Sequence, residues 1–185
     1  MTTPNLTPKL YGVCDLKIFK MLTDVEGTAP TYDTVGIDMP GVSAVSVANE
    51  AKIVEGKGDE RVLEIEITDD SSKVSFEMLY TPLSAMVVIN GGDLETAVDT
   101  DSATYYSPGP SDIGEYFKIE ALTKSRKEKL IIYKNKGRLY PDGLKGSSFN
   151  SPAYVGTAIH TTGDINAKPR RFALMQSNIA IVAGV

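Results

Sequence analysis

The sequence has few of the residues from which most enzymatic and metal sites are built: in 185 residues there is one cysteine, one histidine and no tryptophan. A single cysteine excludes an intramolecular disulfide, and without a second histidine no pair of imidazoles can share a metal ion. No apolar run approaches the roughly 20 residues that a membrane-spanning helix needs. The first residues, MTTPNLTPKLYGV, lack a basic region followed by an apolar one, so we predict no signal peptide.

Positive charge is also in deficit, with 19 basic residues against 24 acidic residues and a net charge of −5. A protein that holds DNA electrostatically normally presents a basic face, so this balance argues against such a protein. It leaves open a protein that stays close to DNA without binding it. Apolar residues make up 42% of the chain, which indicates one folded domain, 1–185, with a substantial core.

Alternation of apolar and polar residues predicts about eight β-strands. The clearest cases are residues 62–68 (VLEIEIT) and 73–78 (KVSFEM), which we predict to form a hairpin through the polar residues between them. The other predicted strands are 11–21, 42–47, 103–107, 114–123, 129–136 and, as a last pair, 153–160 and 171–176. Strands spaced in this way indicate a mainly β fold, an antiparallel sandwich or barrel of two packed sheets.

One short helix is predicted to flank these sheets. Thr81 can cap its start, Pro82 suits the first helical position, and Gly91 suits the left-handed conformation just past its end. A helix of about nine residues is unstable alone, so we expect it to pack against the sheets.

Three segments are predicted to lie outside the domain's own core. Residues 46–60 (SVANEAKIVEGKGDE) have few large apolar side chains, several charges and two glycines. We therefore expect a long polar loop between strands, with an extended assembly loop at 49–60, that a neighbouring subunit orders. Residues 1–9 are predicted to be an extended arm, and the apolar residues 179–185 a tail that docks on this domain or on a neighbour.

Cys14 and His160 are the two side chains that could form a nucleophile–base pair. No nucleophile motif surrounds Cys14, and its position in a predicted strand favours core packing. His160 is better explained as a polar residue at a strand end. Asp69, Asp70 and the pair at 99 and 101 lack the spacing of a calcium loop and suit turns instead. We therefore expect no metal, no cofactor and no enzymatic activity.

Charged residues form three candidate interaction surfaces. Acidic residues alternate with apolar ones on the predicted strands, and basic residues concentrate at a hairpin tip and before the last strand. Unlike patches of this kind suit head-to-tail association of identical subunits, although solvated turns and sheet faces explain them equally well. The acids are Glu64, Glu66, Glu77 and Glu120, and the basic residues are Lys124, Arg126, Lys127, Lys129, Lys168, Arg170 and Arg171.

Taken in order, these features resemble the major tail protein family of long-tailed bacteriophages, the tail tube subunits. The resemblance rests on YGV and DLK at 11–17, PGV at 40–42, the polar loop that reaches residue 61, ERVLEIEITDDSSKVSFEM, LSAMVVINGG and YFKIE at 116–120. It covers most of the chain, with the C-terminal third similar only in its general strand pattern.

The resemblance implies a β-sandwich or barrel with one flanking helix, whose copies form rings, typically hexameric. The rings stack into a tube that conducts viral DNA without binding it specifically. The implied partners are further copies of the chain and the tape measure, tail terminator and tail tip proteins. The implied location is the virion tail, assembled in the host bacterial cytoplasm, with no insertion of this chain into a membrane.

In such a tube some of the four acids named above would face the lumen, where like charge would keep DNA from being trapped. The arms and the polar loop would make contacts between rings, the loop through Asn49, Lys52, Glu55, Lys57, Asp59 and Glu60. Two alternatives stay open. One is the inner tube protein of a contractile tail or secretion machine. The other is a monomeric β-sandwich module that binds carbohydrate or a host, although the absence of tryptophan makes a sugar-binding face less favourable.

Overall fold

The computed structural model describes the backbone of residues 9–11, 13–50, 53–58, 61–67, 71–79, 81–96, 104–109, 111–140, 144–145, 148–149 and 152–181. It describes the side chains of residues 15–48, 71–79, 81–96, 104–109, 111–139 and 152–181. In these ranges the fold is mainly β, antiparallel, with one helix, as the alternation of residues predicts.

The described strands outnumber the roughly eight predicted ones, mainly because strands of two to four residues are too short to show an alternation. The strands are β1 (Lys9–Tyr11), β2 (Val13–Thr23), β3 (Thr31–Tyr32), β4 (Ile37–Asp38), β5 (Ala44–Glu50), β6 (Ile53–Gly58), β7 (Arg61–Ile67), β8 (Ser71–Glu77), β9 (Asp93–Thr96), β10 (Thr104–Ser107), β11 (Phe117–Thr123), β12 (Glu128–Tyr140), β13 (Leu144–Lys145), β14 (Ser148–Phe149), β15 (Ala153–Ala158) and β16 (Phe172–Gln176); the helix is α1 (Leu83–Asn90).

One antiparallel sheet organises the molecule, in the order β1-β5-β8-β15-β12-β11-β2-β3, with β16 paired to β12 and β4 to β2. The long strand β12 is its branch point. The first half of β12 pairs with β16 and its second half pairs with β15, while β11 runs along the opposite edge. Both halves contribute to one hydrophobic core, which gives the sandwich character expected from the sequence.

A β-bulge lets β12 serve this core along its whole length. Leu130 and Ile132 are buried in the first half, but Asn135 and Leu139 are buried in the second. Successive side chains of a strand point to opposite faces. A change of the buried residues from even to odd numbers within β12 therefore requires an extra residue in that strand. The pairing of β11 with β12 shifts register at this point, between Phe117 and Ile119.

Tyr154 lies at the centre of the core. Its ring stacks on Phe76 with 4.7 Å between centroids and meets the edge of Phe117 at 5.8 Å. Its hydroxyl accepts a hydrogen bond of 2.7 Å from Nδ2 of Asn135. A Cβ atom on Gly156 would lie 1.9 Å from this hydroxyl, so the strand needs glycine there to make room for the tyrosine.

Helix α1 packs on the core through Ala85, Met86, Val88 and Ile89, as expected for a short helix. Asn90, its last residue, ties it to β12. Its amide nitrogen donates to the carbonyl of Leu139 at 3.0 Å, and its amide oxygen accepts from the Leu139 N–H at 2.9 Å.

The predicted end of this helix is confirmed and the predicted start is wrong. Gly91 has a φ of 81° and donates its N–H to the carbonyl of Val87. At the other end the cap is Pro82, in extended conformation and without a side-chain hydrogen bond to the helix. The hydroxyl of Thr81 instead donates to the sulfur of Met78 at 3.7 Å.

Three predicted connections are wrong. Strand β7 pairs with β6, whereas β8 pairs with β5 and β15, so residues 62–68 and 73–78 do not form a hairpin. The predicted polar loop at 46–60 contains the end of β5 and all of β6. The predicted last pair, β15 and β16, is also not a pair, since each binds a different half of β12. Alternation reveals a strand and its faces, but it carries no information about the partner.

Candidate assembly surfaces

The hairpin of β6 and β7 leaves the main sheet between two neighbouring strands. Glu50, the last residue of β5, lies directly opposite Ser71, the first residue of β8. The chain departs at this point, runs through β6 and β7, which pair with each other, and returns. Among the strands that the structure describes, β6 and β7 pair with no other. A two-stranded hairpin is marginally stable alone, so this one needs a further surface to pack on.

This hairpin contains part of the predicted contact loop. Glu55 and Lys57 lie in β6, and Asn49 lies near the end of β5. Lys52, Asp59 and Glu60 lie outside the described residues, as do residues 1–8 and 182–185 of the predicted arms. The contacts predicted for this loop therefore stay predictions.

The predicted lumen acids occupy three different environments. Glu64 and Glu66 belong to β7, where their backbones pair with Gly56 and Val54, and their side chains lie outside the described residues. Glu77 is exposed at the end of β8, on the face opposite the buried Phe76.

Glu120 is bound within its own subunit, and its predicted position at the lumen stays a prediction. Its two carboxylate oxygens lie 2.7 Å from Nζ of Lys118 and 2.6 Å from Nζ of Lys129, and its side chain is 15% exposed. Burial opposes ionisation, but the hydrogen bonds and charges of the two lysines hold the pKa of this carboxyl below its usual range. The negative charge is thus present and already neutralised within the subunit.

Glu120 also lines a cleft of about 270 Å³ between the outer face of β11 and β12 and the 161–170 segment. Tyr32 donates its hydroxyl to the carbonyl of Tyr133 at 2.9 Å across this cleft, and burial raises the pKa of Tyr32 far above its ordinary value. Lys118 places Nζ over the ring of Tyr32, 4.8 Å from its centroid. The sequence did not indicate the cleft, because its walls come from distant segments.

Asp24 fixes the 161–170 segment in place. Its carboxylate accepts hydrogen bonds from Nζ of Lys134 at 2.6 Å and from the N–H groups of Thr162 and Gly163 at 2.8 and 2.7 Å. Burial opposes ionisation, but these bonds prevail and lower the pKa of Asp24. More than a hundred residues separate the partners in sequence, so no local pattern could have predicted this contact.

The two predicted basic patches lie at opposite ends of β16. Lys124, Arg126 and Lys127 are exposed in the turn between β11 and β12, whereas Lys129 is bound to Glu120. Residue 176, at the end of β16, pairs with residue 128 beside this turn, and residue 172 pairs with residue 132 at the far end.

The second patch is only partly available for contacts. Lys168 is exposed, but Arg170 is half-buried and donates Nε to the carbonyl of Ile165 at 2.8 Å. Arg171, also half-buried, has its guanidinium 5.7 Å from the ring centroid of Phe172. Contacts with another subunit would therefore involve Lys168 most directly.

The C-terminal tail docks on its own subunit as far as residue 181. The N–H of Ser177 donates to the carbonyl of Lys127 at 2.8 Å, and that of Ile181 donates to the carbonyl of Arg126 at 2.6 Å. Of the two docking sites that the sequence left open, the structure thus selects the chain's own β11–β12 turn for this part of the tail.

Strand β16 is an edge of the sheet. It pairs with β12 on one side, and no described strand covers its other side. Leu174 and Met175 are substantially exposed there, and Ile179 follows close by. Open edges with apolar side chains readily pair with another chain.

Of the residues weighed for catalytic or metal chemistry, only His160 has a described side chain. His160 is exposed just after β15, and the side chain of Cys14 lies outside the described residues, as do Asp69, Asp70, Asp99 and Asp101. Among the side chains that are described, no three from His, Cys, Asp and Glu lie close enough to hold a metal ion. Likewise, the described part of the chain has no helix of the length and apolarity needed to span a membrane.

Comparison with known protein families found no family whose model matches this chain, and a search of curated proteins found no match either.

Proposed function

We propose that the protein is a non-enzymatic structural subunit of a phage tail tube, which assembles into stacked rings, typically hexameric, around a channel for viral DNA. The observation that carries the proposal is that β6 and β7 pair only with each other and are inserted in sequence between β5 and β8, which are directly paired. A two-stranded hairpin is marginally stable alone, and a neighbouring subunit would give it a surface on which to pack.

The open edge at β16 supports the same proposal. An exposed edge strand is a liability for a monomer, and closing a ring of subunits removes such edges. Contacts that join different surfaces of identical subunits close into rings or continue as filaments. A tube of stacked rings needs contacts of both kinds, one that closes each ring and one that continues from ring to ring.

Glu64, Glu66, Glu77 and Glu120 are candidates for the lumen surface, and Glu120 would add the least negative charge there because Lys118 and Lys129 neutralise it. A like-charged wall would let DNA pass without counterion release and tight binding. An image reconstruction of the tube that placed all four acids on the outer surface would contradict this part of the proposal.

Negative-stain electron microscopy of the purified protein over a concentration series tests the proposal. We expect hollow tubes or stacked rings that become more numerous with concentration. Single particles at every concentration, with a monomer mass in light scattering, would count against it.

A variant with the hairpin removed tests the observation that carries the proposal. Because Glu50 and Ser71 face each other, replacing residues 51–70 by Asn-Gly should close β5 and β8 with a two-residue turn. We expect a folded monomer that forms no tubes. Tubes of normal length from this variant would show that the hairpin is not an assembly element.

The inner tube protein of a contractile tail or secretion machine remains an alternative that would use the same ring. A carbohydrate- or host-binding module is favoured by one observation, the cleft in which Tyr32, Tyr133 and Glu120 meet. A glycan screen with the native protein and a Tyr133→Ala variant tests it. Binding by the native protein that the substitution abolishes, in a protein that forms no tubes, would favour this module.

A further inference from the structure

A basic groove lies on the outward face of β8, β15 and β12. Lys73 alternates with buried residues of β8, and Lys136 and Arg138 alternate with buried residues of β12, so all three point away from the core. Residue 157 pairs with both Lys73 and Lys136, which places the two lysines in one row across three strands. Together with Val155, which lies beside Arg138 on β15, these side chains line a groove of about 340 Å³.

An acidic surface of matching form lies on the β9–β10 hairpin. Asp93 and Glu95 are exposed on one face of β9, and Tyr105, opposite Glu95 in β10, is 54% exposed on that same face. The other face is turned to the body of the protein, since the hydroxyl of Tyr106 donates to the carbonyl of Gly91 at 2.8 Å.

None of the charged groups on these two surfaces is in an ion pair with another described residue of the chain. Lys136 only approaches the ring of Tyr116, with Nζ 4.8 Å from its centroid. Asp112 lines an adjacent cavity beside Lys136, but its carboxylate already accepts the N–H of Gly109. The basic groove therefore keeps charge available for an external partner.

The two surfaces agree in spacing as well as in sign. Lys136 and Arg138 are two residues apart on one strand, as are Asp93 and Glu95 on another, and this separation is about 7 Å in each case. An extended acidic hairpin laid along β12 would meet both cations with both carboxylates. Tyr105 would then lie toward Val155, the apolar centre of the basic groove.

We propose that the basic groove binds the β9–β10 hairpin of a second copy of this chain. The contact joins two different surfaces, so each subunit can give one and receive one, which makes a ring or a filament. The inference rests on the proposed function in taking the subunits to associate head to tail, and it names the residues of one such contact. Nucleic acid is a less favoured occupant, because a net charge of −5 repels it as a whole.

Two charge-reversal variants test this contact. One carries Lys136→Glu with Arg138→Glu, and the other carries Asp93→Lys with Glu95→Lys. Each alone should self-associate about tenfold or more weakly than the native protein in sedimentation velocity at low salt, because like charges then face each other. An equimolar mixture should regain association, since each reversed surface finds an opposite one. The matched control, Glu26→Lys with Asp33→Lys, reverses two exposed acids elsewhere and should associate normally.

The proposal is overturned if either reversal variant associates like the native protein, if the mixture does not recover, or if the control fails equally. It is also overturned if Lys136→Glu with Arg138→Glu abolishes binding to a DNA duplex and leaves self-association unchanged.

Because these substitutions are on the surface, circular dichroism and thermal unfolding of the variants should match those of the native protein. A neutral pair, Asp93→Asn with Glu95→Gln, provides a second, milder test. Native tubes together with normally assembling reversal variants would refute this contact alone. Native rings that do not stack into tubes, and that the reversals abolish and the mixture restores, would refute the tube and keep the contact.

Discussion

Removing the carboxylate of Asp24 tests whether its bonds hold the 161–170 segment on the sheet. The Asp24→Ala substitution leaves the Lys134 ammonium and two N–H groups without their acceptor. The side chains of Asp24 and Lys134 are only 8% and 12% exposed, so water can replace little of what is lost.

Breaking a buried ion pair by removing one partner costs about 3–5 kcal/mol. Lys134 keeps a contact with the ring of Tyr116 at 4.8 Å and one with the hydroxyl of Thr162 at 3.5 Å. We therefore expect a loss of about 3 kcal/mol in the free energy of unfolding, at the lower end of that range.

Urea unfolding followed by circular dichroism measures this loss, in the variant with residues 51–70 replaced if the native chain polymerises. The control is Asp38→Ala, which removes a pair with Lys17 at 3.5 Å in which the aspartate is 73% exposed. Exposed pairs contribute about 0–1 kcal/mol, so this variant should unfold almost like its parent. An Asp24→Ala variant as stable as the Asp38→Ala control would refute the reasoning.

The lowered pKa of Asp24 adds a prediction about acid. A carboxyl whose pKa is lower in the folded than in the unfolded state contributes stability that is complete above the unfolded value, about 3.9, and is lost as pH falls through the folded value. The difference in unfolding free energy between native protein and Asp24→Ala should therefore be constant near neutral pH and shrink in acid. A difference that grew below about pH 4 would contradict the assigned direction.

Three further substitutions test the core and the ion pairs that Glu120 forms with Lys118 and Lys129. Gly156→Ala should destabilise the protein by about 1–3 kcal/mol, because its methyl group overlaps the Tyr154 hydroxyl, and an unchanged thermal midpoint would contradict the packing described. Tyr154→Phe should cost about 1–3 kcal/mol by leaving Nδ2 of Asn135 without its acceptor, and a hydrogen-exchange measurement should show faster opening of β12 and β15. The ionised Glu120 stabilises the fold, because its folded pKa is lowered, and the native protein loses this contribution in acid. The Glu120→Gln variant should therefore lose less resistance to urea than the native protein does between pH 7 and pH 3.5. An unaltered pH profile would argue that the two lysines do not stabilise the charge of Glu120.

The sequence by itself determined where most strands lie and which side chains face inward. Phe117, Ile119 and Ala121 alternate with polar residues and are all buried, and Val74 and Phe76 follow the same rule. Gly91 likewise marks the end of α1. These features depend on neighbours in sequence, because alternation along a strand and the positive φ after a helix are local properties of the backbone.

Only the tertiary structure decided which strands pair and which charges stay available. The bulge in β12, the shared use of that strand by β15 and β16, and the departure of the β6–β7 hairpin depend on partners far apart in sequence. For the same reason Glu120, which alternates on its strand like an exposed acid, is bound by Lys118 and Lys129, while Lys136 and Arg138 form no ion pair with another described residue. Alternation along a strand determines which face of the sheet a side chain occupies, but the electrostatic energy of a charged side chain depends on the residues that the fold places near it.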